Sequence, residues 1–252
     1  QQTLGKLRGC SDRERKEMQR EFSQLNEMLS KLDKGQVEIV VFGEISTGKS
    51  ALINALIGEA VADVDVQGGW TRDVQSSEWK ICAYRVPGLN DSGVLLVDTP
   101  GINEVEGQQR ASLAEEAARR ADLILFVTDS DLNEIEHDAL KHLASLKKPL
   151  LIVLNKKDLY SEDQRNRLLN VLTQERLPGV LPTDHVVLTS ADPREVEYII
   201  EDAEGKTRRE WRRPQPDVQE LKEKILEILD RDGLALVALN AAMYAADQTD
   251  RI

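Results

Sequence analysis

Gly43-Glu44-Ile45-Ser46-Thr47-Gly48-Lys49-Ser50 follows the β-branched run Val37–Phe42 and opens a helical pattern over Lys49–Leu56. The eight residues match GxxxxGK[ST], and a strand before and a helix after are the context that gives this pattern meaning. Glycines let the backbone turn tightly, so that its amides approach phosphate oxygens. The helix adds its free first-turn amides and the positive end of its dipole. The candidate phosphate contacts are therefore Gly43, Ser46, Thr47, Gly48, Lys49, Ser50 and Ala51. Lys49 reaches the β and γ phosphates, and the Ser50 hydroxyl suits Mg²⁺. Taken alone, the stretch specifies phosphate binding and leaves the base open.

Outward from this loop, strand and helix patterns alternate. Strands are expected at Val74–Val86, Val94–Val97, Leu123–Val127, Leu150–Leu154 and His185–Leu188. Helices are expected at Gln109–Arg120, Asn133–Leu146 and Ser161–Leu172, the last with Ser161 as N-cap. With Val37–Phe42 this makes an α/β domain over 36–191, its sheet six-stranded, mostly parallel and covered by helices on both faces.

Flanking segments complete the organisation. Residues 1–35 hold an amphipathic helix, with Ser11 and Glu14 as a capping box and Met18, Phe22, Leu25, Leu29 and Leu32 as its apolar stripe. Residues 192–216 suit a connecting hairpin with an acidic arm (Glu195, Glu197, Glu201) and a basic arm (Lys206, Arg208, Arg209, Arg212, Arg213) around Trp211. Cross-strand charge pairing on a solvated hairpin and a docking patch for a membrane or partner both account for that pattern. Residues 217–252 read as C-terminal helices. Asp217 and Glu220 suggest a second capping box, and Val218, Leu221, Ile225 and Ile228 form a stripe. The stretch Leu234–Ala246 is apolar enough to need a cover and too short to span a bilayer.

The 252 residues suffice for one domain of ~150–200 residues with flanking helices. A net charge of −12 disfavours nucleic acid and anionic lipid as partners of the chain as a whole. Cys10 and Cys82 have no metal-ligand spacing, and free thiols in a reducing cytoplasm are the expectation. His137 and His142 are five apart and do not share a helical face. The chain opens on Gln1, so missing flanking sequence is expected.

Asp98-Thr99-Pro100-Gly101 ends the strand Val94–Val97. A carboxylate there can hold a Mg²⁺-bound water, and the Gly101 amide can sense a γ-phosphate. Asn155-Lys156-Lys157-Asp158 ends the strand Leu150–Leu154, and here the sequence resembles the GTPase superfamily with its NKxD motif. The resemblance implies a P-loop NTPase G domain with GTP or GDP as ligand. Asp158 would accept two hydrogen bonds from guanine, which adenine cannot supply. Asn155 would brace the loop, and Lys156 would lie over the base. Thr189-Ser190-Ala191 resembles the final motif, where a backbone amide at Ser190 or Ala191 meets the guanine O6. Gly69-Trp70-Thr71-Arg72-Asp73-Val74 resembles switch I of the Era/TrmE-like branch, which implies that Thr71 ligates Mg²⁺ beside Ser50 and Asp98.

Ile102 stands where Ras-like enzymes carry a water-orienting glutamine. This resembles GTPases with a hydrophobic residue at that site, including dynamin-like proteins, and implies that catalytic help comes from elsewhere. Ser46 occupies the position of a K⁺ ligand in K⁺-dependent relatives; a hydrogen bond within the loop is the other use of such a serine. Lys49, Thr71, Gly101 and Ser46 are thus the catalytic candidates. Glu104 and Glu106 are further candidates to place a water. The reading is a GTPase switch, activated by homodimerisation across the nucleotide, by K⁺, or by both. A nucleotide-sensing module without useful hydrolysis and a dynamin-like membrane-remodelling scaffold are the alternatives. The C-terminal stretch resembles the start of a hydrophobic helical domain in bacterial Era-like GTPases, so the chain is expected to be cytoplasmic with membrane association through a continuing region.

Overall fold

The computed structural model describes residues 37–58, 81–84, 94–99, 117–201 and 207–231. The expected helix near 11–32, the switch I segment with Thr71, the residues Gly101, Ile102, Glu104 and Glu106, and the stretch 234–246 lie outside them.

Strands β1 (Val37–Gly43), β4 (Leu123–Thr128) and β5 (Leu150–Leu154) are buried along their whole length. Continuous apolar runs of this kind belong in the middle of a parallel sheet, where both faces are covered. Together with β2 (Ile81–Tyr84), β3 (Val94–Asp98) and β6 (Val186–Leu188) they form the expected six-stranded sheet, in the order β2-β3-β1-β4-β5-β6. Only the β2–β3 pairing is antiparallel.

Side chains alternate across a strand, so each strand supplies two cores. Ile39, Val41, Leu125, Val127, Leu151 and Val153 point to one face, against Leu52 and Leu56 of α1 (Lys49–Ile57). Val40, Phe42, Ile124, Phe126, Ile152 and Leu154 point to the other, against Leu140 and Leu143 of α2 (Glu134–Ser145). Asn133 caps α2 in a reciprocal capping box with Glu136, and Ser161 caps α3 (Glu162–Val171) in the same way with Gln164. A π-helical turn at Leu172–Arg176 extends α3 and brings Leu172 and Leu177 into the second core.

Helix α4 (219–231) sends Leu221, Ile225, Ile228 and Leu229 into the first core, as the apolar spacing predicts. The Asp217–Glu220 capping box does not form. The Asp217 amide donates to the Ser190 carbonyl at 2.8 Å, and its carboxylate pairs with Lys157 at 2.7 Å. A tertiary partner has outcompeted the local cap. Residues Val196–Glu201 and Thr207–Arg212 form a separate antiparallel pair, β7 and β8. Arg209 reaches across it to Glu197, whereas Arg212 and Arg208 pair with Glu210 on their own strand.

The start of β4 is stitched to β1 by a closed exchange. The Glu38 amide donates to Asp122 Oδ2, and the Asp122 amide donates back to the Glu38 carbonyl, both at 2.8 Å. Asp122 is buried, so its removal strands the Glu38 amide without water. Asp122→Ala is expected to cost about 1–3 kcal/mol of stability. The measurement is a urea titration, with a lowered midpoint at unchanged slope expected; an unchanged midpoint would show that the exchange contributes nothing.

Candidate functional site at the carboxyl edge of the sheet

The loop between β1 and α1 is shaped by three residues at positive φ: Gly43 at 155°, Ser46 at 66° and Gly48 at 93°. A side chain at Gly43 would put its Cβ 2.2 Å from the Val127 carbonyl oxygen, so β1 can pass β4 there only as glycine. Gly48 is the N-cap of α1 and offers no side-chain cap. The first intrahelical bond runs from the Leu52 amide to the Gly48 carbonyl, so the amides of Lys49, Ser50 and Ala51 have no partner within the helix. Three donors are thus concentrated at a positive dipole end.

Lys49 folds back over this loop. Its Nζ donates to the carbonyls of Gly43 (3.2 Å) and Glu44 (2.8 Å). Burial holds the ammonium below the usual lysine range, and the charges of Asp98 and Glu44 oppose that shift. Thr47 Oγ1 donates to the Glu44 carbonyl at 3.0 Å and tightens the turn. The Glu44 carboxylate is met from outside by Asn133 Nδ2 at 2.9 Å.

Ser50 Oγ donates to Asp98 Oδ2 at 2.6 Å, joining the helix start to the end of β3. Burial pushes the Asp98 carboxyl up, against the Ser50 hydrogen bond and the Lys49 charge. The other oxygen, Oδ1, is buried and has no hydrogen-bond partner. A hydroxyl and a carboxylate, both hard oxygen donors, with one carboxylate oxygen left unsatisfied, fit a Mg²⁺ ion and its water shell. These are two of the three residues read from the sequence as a metal set.

The other half of the site lies beyond β5. Asn155 is buried and uses both ends of its amide. Its Nδ2 donates to the Thr47 carbonyl at 2.9 Å, while its Oδ1 accepts from Thr189 Oγ1 at 3.0 Å and from the Ala191 amide at 3.1 Å. Lys156 sits at φ 58°, and its Nζ donates to the Ser46 carbonyl at 2.5 Å and to Asp129 Oδ2 at 2.6 Å. Asp158 accepts from Ser190 Oγ at 2.5 Å and from the Arg194 amide at 3.2 Å.

The fold therefore brings Gly43 through Ala51, Asp98, Asn155, Lys156, Asp158, Ser190 and Ala191 to one edge. That edge is where open α/β sheets place their ligands. Asp129, Asn133 and Arg194 also belong to this neighbourhood and were not read from the sequence. Asp129 directly follows β4 at the carboxyl edge, a position that could have flagged it. His137 meets the backbone carbonyl of Arg176, and His185 that of Leu150.

Residues 38–156 match the family model described as 50S ribosome-binding GTPase. Over this stretch the chain resembles the Era/TrmE-like P-loop GTPases. The chain is 31% identical over 194 residues to a probable transmembrane FZO-like GTPase of Arabidopsis thaliana, with 69% of this chain and 21% of that protein covered. It is 32% identical over 131 residues to GTPase Era of Rickettsia bellii, covering 50% of this chain and 42% of Era. The chain thus spans less than half the length of either relative. Aquifex aeolicus Era bound to GDP·AlF4⁻ shares the fold, at a TM-score of 0.56 and 22% identity over 76% of this chain and 56% of that one. Gly48 has a second constraint besides its φ. A Cβ there would lie 2.4 Å from Asn155 Nδ2. Gly48→Ala is expected to displace Asn155 and lower nucleotide affinity at least about tenfold. Titration with a fluorescent guanine nucleotide checks this, and wild-type affinity would show that Asn155 steps aside at no cost.

Proposed function

We propose that the chain binds GTP and hydrolyses it to GDP and phosphate as a nucleotide-dependent switch. The observation that carries this reading is the pairing of two specificities at one sheet edge. The phosphate loop is bonded through the Thr47 carbonyl to Asn155, three residues before the carboxylate of Asp158. A carboxylate accepts hydrogen bonds and donates none, so it selects a base edge with two adjacent N–H donors, which guanine has and adenine lacks. By the family resemblance, a backbone amide at Ser190 or Ala191 would meet the guanine O6, next to the N–H donors that Asp158 takes. Ser50 and Asp98 would hold Mg²⁺, with Thr71 as the further ligand implied by the family resemblance. Bound there, Mg²⁺ supplies positive charge to the phosphate oxygens. Lys49 supplies a second positive charge, and the loop amides bind and orient the phosphates.

Ile102 offers no group to orient a water. Ser46, in the left-handed conformation, is our candidate for a K⁺ ligand, and dimerisation across the nucleotide face is the second source of assistance. The match to a probable transmembrane relative favours a longer, membrane-associated protein with its GTPase domain in the cytoplasm.

Asp158→Asn exchanges an acceptor for a donor at the base edge. It is expected to invert the preference from guanosine to xanthosine nucleotides, by on the order of a hundredfold. Competition binding with GDP and XDP measures it, and tight GDP binding by the variant would sink the base assignment. GTP turnover in K⁺ is expected to exceed that in Na⁺ about tenfold or more. A dimer mass is expected under a transition-state analogue. Equal rates with a monomer throughout would favour a nucleotide-sensing module.

A further inference from the structure

The base-side lysine is held before any nucleotide arrives. Lys156 is the N-cap of the short 3₁₀ turn Lys157–Leu159, and its left-handed backbone starts the side chain back toward the phosphate loop. Two of its three ammonium protons are committed, one to the Ser46 carbonyl and one to Asp129 Oδ2. The carbonyl fixes the height of the ammonium over the loop. The carboxylate fixes its sideways position and supplies the opposite charge. The two side chains of this ion pair are each about one-third exposed, at 33% and 32%.

Asp129 is itself held. The strand end before it is tied to the base-reading loop by the Asn155 amide, which donates to the Thr128 carbonyl at 2.8 Å. The Asp129 carbonyl accepts from Tyr160 Oη at 2.7 Å. The backbone that carries its carboxylate is thus anchored at two successive carbonyls. A free lysine samples many rotamers, and pinning its tip leaves the four-carbon stem as a preset apolar platform. Ordering that stem before binding removes the cost from the binding step.

We propose that Asp129 is a positioning residue for the nucleotide, acting through Lys156: its carboxylate clamps the ammonium against the phosphate loop so that the stem is preset to cover the guanine base. The inference rests on the reading of Asn155–Asp158 as the base-recognition loop. It assigns to Asp129 a binding role that acts on the base, away from the phosphate chemistry at Lys49 and Ser50.

The test is a double-mutant cycle of Asp129→Asn and Lys156→Met, which removes either charge and keeps side-chain volume. Affinities for GDP and GTP are read with fluorescent analogues, together with steady-state turnover and thermal midpoints. Asp129→Asn is expected to weaken both nucleotides about three- to tenfold. It should raise KM by more than it lowers kcat. Lys156→Met should cost at least as much, and the double variant no more than Lys156→Met alone. Wild-type binding by Asp129→Asn, or two losses that multiply in the double variant, would overturn the proposal. So would a lowered thermal midpoint with unchanged affinity, since that is a purely structural role. The base reading is tested separately by Asp158→Asn. A xanthosine switch with a multiplicative cycle removes only the role of Asp129, and no switch removes the reading beneath it.

Discussion

One buried amide, Asn155, ties the two halves of the site into a single object. Its nitrogen holds the Thr47 carbonyl of the phosphate loop, and its oxygen holds Thr189 and the Ala191 amide of the last loop. Each half alone is a common device. A glycine loop before a helix binds many anions, and a carboxylate at a strand end binds many donors. Asparagine suits the joint because it carries a donor and an acceptor on one rigid group. Aspartate would lose the bond to Thr47, and a shorter side chain would leave buried polar atoms without partners.

The sheet makes this joint reachable. In a parallel sheet, β1, β3, β4 and β5 all end at the same edge, so residues far apart in sequence meet there without any special turn. The registers place Gly43 beside Val127 and Leu154 beside Thr128. The phosphate loop, Asp129 after β4 and the base loop are therefore neighbours through the sheet register. Two apolar faces, fed by alternate residues of the same strands, hold that edge straight. Stability and function are separated along the strand: packing in the middle, chemistry at the carboxyl end.

Much of this could be read from residue types and spacing. The β5 boundaries match the apolar run residue for residue, and β1, β3 and β4 each continue one residue beyond theirs. That Lys49, Asp98 and Asp158 meet at one sheet edge was legible because motif and strand context agree. Asp129 was not, because its partner is Lys156, and only the left-handed backbone at that lysine aims one at the other. Asp217 was misread for the opposite reason. Its local signal as a cap was clear, but Ser190 and Lys157 offered it better partners in the folded chain. Local rules predict local bonds, and they fail where the edge of the sheet brings distant residues together.

The electrostatics of the phosphate loop follow from the same edge. Lys49 and Asp98 are both drawn out of water, and burial works against the charge of each. The charge of each opposes the other's shift, and burial outweighs that help in both. Lys49 satisfies itself on two backbone carbonyls, and Asp98 on one serine hydroxyl with a bare oxygen remaining. A neutral ligand would relieve neither. A polyphosphate carrying a divalent cation relieves both at once, the anion toward the lysine and the cation toward the aspartate. For such a ligand, the cost of burying the two charges would be carried by the fold before binding.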